Sequence, residues 1–245
     1  MSEPAGVSIA GQTEEELGGR WSVLVRQRRD HQRLADLLQE VRATHGEEQD
    51  AVLGRVCRLV FPYAFAEEAV LWPVVRRVLP DAEALTVEVE REHQEINEVV
   101  AALERSRHRD PDREQLLERA VELLDHDVRD EEDELLPRLQ LALSAAELQR
   151  LGRTWELVRR TAPTRAHPVV ARRPPGNVLA ALPLSLLDRS RDHLDALARS
   201  APGPLATSSR LTSRALAGLA GAVEHLPLLT KGEDPSTRSG RTRVE

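Results

Sequence analysis

From Thr13 onward the chain places apolar residues at the three- and four-residue spacing of a helix through four successive segments, and ionisable residues interrupt each apolar stripe. That pattern restricts the fold more than any other feature. The first helix is expected over about residues 15–44, with Leu24, His31, Leu34, Leu38 and Val41 on one face. The second spans about 47–79 and aligns Val56, Val60, Tyr63, Glu67, Val70 and Val74, with Pro62 and Pro73 expected to kink or segment it. The third covers about 82–107 and aligns Val89, His93, Ile96, Val100 and Leu103. The fourth runs from Asp110-Pro111 to about residue 143, aligning Leu117, Ala120, Leu124, Asp127, Glu131 and Leu135, with a break near Pro137. Long helices joined by short Pro/Gly turns predict an all-α fold, an antiparallel four-helix bundle.

Further elements surround the bundle. Ser144 and Glu147 form a capping-box pair that predicts a fifth helix over about 145–161. The prolines at 162–168 and 172–177 call for extended chain. A short amphipathic helix is expected at about 184–199 and another, of small residues, at 207–223. The organisation expected is a flexible tail at 1–14, the bundle at 15–161, a Pro-containing extension at 162–230 and a disordered tail at 231–245.

Composition removes several function classes. No apolar run approaches the roughly 18 residues of a membrane span, and no signal peptide is recognisable, so a cytoplasmic protein without a membrane partner is expected. The single cysteine, Cys57, excludes an internal disulfide and is expected to pack as a small apolar residue. Only six residues are aromatic, and four of them, Phe61, Tyr63, Phe65 and Trp72, lie together, which excludes a stacking platform for single-stranded nucleic acid. The formal charge of −7 is divided unevenly: residues 153–245 hold 15 basic against 8 acidic residues, the remainder 19 against 33. A surplus of 7 spread over so long a segment, with no recognised motif, does not predict a nucleic-acid partner. It predicts that the extension lies back on the acidic bundle.

The ionisable residues on the stripes are His31, Tyr63 and Glu67, His93, and Asp127 and Glu131. Burying such groups costs several kcal/mol each unless something compensates. The four-residue spacings Tyr63/Glu67 and Asp127/Glu131 put both members of a pair on one helix face. One set per helix, near mid-length and at matching phase, is what convergence on a metal centre requires. Most of the acidic run 130–134 must still be solvated.

Two segments repeat one arrangement: Tyr63-Ala-Phe-Ala-Glu67-Glu-Ala-Val-Leu-Trp-Pro73 and Asp127-Val-Arg-Asp-Glu131-Glu-Asp-Glu-Leu-Leu-Pro137. With Asp30-His31 and Glu92-His93, they resemble the haemerythrin-like HHE cation-binding family over about residues 25–143. The fifth helix, with Thr161–Arg165 and Pro175–Val178, resembles the C-terminal extension of longer bacterial members. The resemblance implies a non-haem di-iron site that binds dioxygen, nitric oxide or peroxide, and it carries His31, Glu67, His93 and Glu131 over as ligands. Tyr63 and Asp127 stand where the family pattern has histidine. His126 is a substitute candidate, but one residue rotates it about 100° off the stripe. A tyrosinate, an aspartate and two glutamates would suit iron or manganese, as a pair or as a single ion. Phenolate favours ferric iron, which argues against reversible oxygen carriage and for redox chemistry or sensing. The alternative is a metal-free helical-bundle interaction module with a degenerate site.

Overall fold

A computed structural model describes residues 6–239 of the chain. Nine α-helices, no strands and two π-turns account for the regular structure among the described residues. The helices are α1 Val23–Ala43, α2 Gly46–Ala66, α3 Trp72–Val78, α4 Ala82–Arg105, α5 Arg113–Asp130, α6 Leu136–Ala142, α7 Ala145–Thr161, α8 Gly176–Ser200 and α9 Gly203–Glu224.

The bundle has the expected four legs: α1, α2 continued by α3, α4, and α5 continued by α6. Consecutive legs pack on one another through short turns, α1 on α2, α3 on α4 and α4 on α5, so neighbours run antiparallel. Side chains close the turns. Gln49 donates to the last carbonyls of α1, Val41 and Thr44 (3.1 and 2.8 Å), and Arg113 does the same for Leu103 of α4 (3.1 Å). Helix ends leave such carbonyls unpaired, so these contacts are what keeps the turns tight.

α1 begins later than expected. Ser22 caps it by accepting from the Leu24 amide (3.2 Å), and residues 13–22 form turns ahead of it. Pro62 lies inside α2 without ending it. The break falls five residues on, where α2 and α3 are joined by the π-turn Glu67–Leu71. The repeat has the same feature at Glu131–Leu135, between α5 and α6. Each turn closes with an i→i−5 bond, Trp72 N–H to the Glu67 carbonyl and Leu136 N–H to that of Glu131. Pro73 and Pro137 follow directly. A proline ring strikes the carbonyl four residues back and offers no N–H, and a wider turn relieves both problems.

α7 carries the expected capping box at Ser144 and Glu147 and lies across α1 and α2, burying Trp155 completely. The approach is close enough that a Cβ on Gly152 would stand 2.1 Å from the Trp21 carbonyl oxygen.

Three expectations about the remainder need correcting. Of the tail read as flexible, residues 1–5 lie outside the described residues, but Ile9 is fully buried and its N–H meets the Glu132 carbonyl at 3.0 Å. An apolar residue with a docking site overrode the local Pro/Gly signal. α8 is a long helix that starts at Gly176 and carries Pro183 inside it, where a short one was expected. Of the segment read as disordered, residues 240–245 lie outside the described residues. Residues 231–239 are held: the Lys231 carbonyl accepts from Gly176 (3.0 Å), Glu233 accepts from the Arg172 amide (3.1 Å), and Thr237 is buried.

The extension lies on the bundle, as its charge predicted. Arg173 pairs with Glu83 and Glu90 of α4 (2.8 and 2.7 Å), and Arg165 faces Glu104 (3.6 Å). Neutral contacts join them: Asn97 accepts from the His167 amide (3.0 Å), and Gln94 donates to the Pro168 carbonyl (2.9 Å). α8 and α9 form a hairpin around a small core of their own that includes Val170, Ala180, Leu184, Ala220 and Leu229.

Candidate metal centre

The ionisable residues from the four stripes meet in the middle of the bundle. His31, Tyr63, Glu67, His93, Asp127 and Glu131 are all buried. His31 Nε2 lies 3.2 Å from Glu131 Oε2, and His93 Nε2 lies 3.3 Å from Asp127 Oδ1 and 3.7 Å from Glu67 Oε2. The Tyr63 hydroxyl donates to Asp127 Oδ2 at 3.4 Å, and its ring meets that of His31 edge-on with centroids 5.8 Å apart.

Two buried triads have donor atoms within 4.8 Å of one another, His31/Glu67/Glu131 and His93/Asp127/Glu131; a third such group, Glu92/His126/Asp130, lies toward the surface. Glu131 belongs to both. His31 Nε2, His93 Nε2, Glu67 Oε2, Asp127 Oδ1 and both Glu131 oxygens are buried without a hydrogen-bond partner. Buried polar atoms are nearly always paired, and so many together on one point need an explanation. Their number and convergence make them candidate ligands for a cation.

Outer contacts fix the imidazoles. His31 Nδ1 pairs with Glu132 at 2.9 Å and His93 Nδ1 with Glu68 at 3.0 Å. A carboxylate on Nδ1 sets the tautomer and leaves Nε2 as the free donor, which is the usual support for a metal-binding histidine. Gln27, one turn before His31 and fully buried, donates to Glu67. Sequence reasoning missed Glu68, Glu132 and Gln27. The Glu-Glu doublet repeated in both segments and the four-residue step from Gln27 to His31 were the available signals.

Titration reflects the crowding. Burial raises the carboxyls of Glu67 and Glu131, and the neighbouring carboxylates raise them further. Burial opposes charge on His31, but the adjacent carboxylates of Glu131 and Glu132 prevail and lift it to about 10. His93 is lifted well above its ordinary value against the same burial, by Asp127 and Glu68. Burial, then the charges of Asp127, Glu67 and Glu131, hold the Tyr63 phenol well above its usual range. Without a cation the cluster can balance its charge only by taking up protons.

The model of the family described as Hemerythrin HHE cation binding domain matches residues 23–139. That segment belongs to the haemerythrin family. No curated protein and no solved structure matches the chain. The haemerythrin domain ends within α6, so α7 and the α8–α9 extension are additions to it.

His126, the substitute candidate, lies on the outer face of the haemerythrin domain beside Glu92 (3.4 Å) and Asp130 (3.3 Å), with 57% of its side chain exposed. The inward residue at this level is Asp127. Asp130, Asp133 and Glu134 are exposed, as expected for most of the acidic run, and Cys57 is a buried free thiol. No described helix is long and apolar enough to cross a membrane.

Proposed function

We propose that the domain holds a pair of iron ions and uses them to bind, sense or detoxify small oxidants such as peroxide, nitric oxide or dioxygen. The observation that carries this reading is the pair of buried donor triads sharing Glu131, with their inward atoms unpartnered. His31, Glu67 and Glu131 would hold one ion, and His93, Asp127 and Glu131 the other, with Tyr63 as an adjoining oxygen donor. Manganese is the alternative metal for so oxygen-rich a set. Bound iron would supply a redox-active centre.

The chain's own residues do the rest. Glu68 and Glu132 aim the Nε2 lone pairs of His93 and His31 inward. Gln27 holds one oxygen of Glu67 and leaves the other for the centre. Tyr63 keeps its proton until positive charge arrives, and meanwhile that proton engages Asp127. A cleft of about 350 Å³ between α1 and α5, lined by His31, Leu34, Leu38, Leu124 and Val128, leads to His31. Its apolar walls, edged by Asp125 and Arg129, would admit a small, weakly polar ligand. A phenolate donor favours ferric iron, so the reading is redox chemistry or sensing rather than reversible oxygen carriage.

The test is metal analysis and the visible spectrum of protein produced with iron. Two irons per chain and a phenolate-to-iron charge-transfer band that disappears in Tyr63→Phe are expected. Protein free of metal, with thermal stability unmoved by added ferrous iron, would overturn the proposal and leave a metal-free helical-bundle interaction module.

A further inference from the structure

A second cavity, of about 360 Å³, lies where the α1–α2 end of the bundle meets the α8–α9 hairpin. This is within the range of small-molecule sites. Its two halves differ in chemistry. The floor takes one apolar side chain from each leg of the bundle: Leu38, Val56, Val100 and Leu124. The rim is charged, with six arginines against four carboxylates.

Those carboxylates are already engaged. Asp50 pairs with Arg113, while Glu104, Asp192 and Asp195 surround Arg165 at 3.6, 2.9 and 2.6 Å. Arg191 is left with a distant contact, 3.9 Å to Asp188. The Nε atoms of both Arg165 and Arg191 are buried without an acceptor. Burial, and then the charge of Arg165, push Arg191 below the usual arginine range, as expected of a cation short of compensation. A buried cation without a close partner is costly, so Arg191 on the wall of an apolar chamber calls for an anion.

We propose that this cavity binds a medium-chain monocarboxylate, its head held by Arg191 and its apolar body lying on the floor. A bare inorganic anion would leave the floor unused, and an uncharged alcohol would leave Arg191 without a close counter-charge. The residues involved are separate from the six of the metal centre.

Isothermal titration calorimetry of the full chain tests this with decanoate, decanol and inorganic phosphate. Decanoate should saturate at one per chain, with decanol and phosphate at least tenfold weaker. Arg191→Met should weaken decanoate about tenfold or more, the usual effect of losing a hydrogen bond to a charged group. Ala217→Trp, which fills the chamber from the partly exposed α9 side, should abolish binding while helical content and melting stay unchanged. Absence of decanoate binding, equal affinity for decanol or phosphate, or unchanged affinity in folded Arg191→Met overturns the proposal.

Discussion

Buried histidines meet buried carboxylates in two places, and the two clusters are built to opposite ends. In the bundle, the inward nitrogens of His31 and His93 and four carboxylate oxygens converge with nothing between them. In the extension, Asp188 Oδ2 takes three donors, the amides of Thr164 and Arg165 (3.0 and 3.1 Å) and His167 Nε2 (3.0 Å). The other nitrogen of His167 faces Glu224 at 3.6 Å. The extension satisfies Asp188 Oδ2 with its own donors and so fastens a loop to the hairpin, leaving only Asp188 Oδ1 and Glu224 Oε2 of this cluster without a hydrogen bond. The bundle directs donor atoms at a common point and gives them no donors of its own there.

The largest expected effect breaks the first half of that comparison. Glu131→Gln removes the carboxylate common to both triads, so iron per chain should fall from two to one or none. Iron in thousandfold excess over its Kd stabilises the fold by about 4 kcal/mol. That increment should vanish in the variant, as read from melting with and without iron. In metal-free protein the same change should cost less, because burial and Asp127 raise the Glu131 carboxyl and offset part of what its pairing with His31 contributes. A variant that still loads two irons would show that Glu131 is not shared.

Next in size is the pH response of the extension. Burial disfavours charge on His167, but Asp188 and Glu224 outweigh it and lift the group from 6.5 to about 9. A raised folded-state value means the stabilisation is complete below about pH 6.5 and is lost as pH rises through 9. At about 1.4 kcal/mol per unit the full contribution is about 3 kcal/mol. Denaturant midpoints of metal-free protein should therefore fall across that window and fall less in His167→Asn. An equal slope in both proteins would assign the pH response elsewhere.

What was legible beforehand follows the same division. The bundle centre could be read because an α-helix repeats its phase: His31, the Tyr63/Glu67 pair, His93 and the Asp127/Glu131 pair fall in line with apolar neighbours. Glu68 and Glu132 could not, since one residue past Glu67 or Glu131 a helix has turned about 100° toward solvent. The π-turns start at these glutamates and widen the backbone where two successive side chains must serve the centre. The prolines were read as breaks, and their consequence for register lies beyond helical periodicity. Ile9 and residues 231–239 were misread because their partners, the Glu132 carbonyl and the Arg172 and Gly176 amides, are distant in sequence. The Arg165 and Arg173 contacts were anticipated only as net charge, without specific partners.

A third test addresses α7, the helix added immediately after the haemerythrin domain. In Gly152→Ala the new methyl would meet the Trp21 carbonyl and the Val23 amide nitrogen, backbone atoms that cannot swing aside. Overpacking of this kind costs about 1–3 kcal/mol. The melting temperature should drop, while iron content stays at the wild-type level because α1 keeps His31 on its inner face. Loss of iron in a folded variant would mean that α7 sets the position of α1 at the centre.

The smallest effect lies at the seam between the two regions. Arg173 reaches from the extension to Glu83, which is exposed, and to Glu90, which is fully buried and also held by Arg76. Arg173→Gln leaves Arg76 to compensate Glu90, so the loss should be that of a partly exposed pair, about 1 kcal/mol or less. Screening by salt should shrink it further, because the Glu83 contact is open to solvent. The neutral contacts across the seam, His167 to Asn97 and Gln94 to Pro168, and the apolar cluster behind them do not depend on ionic strength in this way. Denaturant midpoints for wild type and Arg173→Gln should therefore differ at 10 mM salt and nearly coincide at 1 M. A gap unchanged by salt would assign the contribution of Arg173 to packing and to its buried bond with Glu90, and would make the seam as self-balanced as the cluster around Asp188.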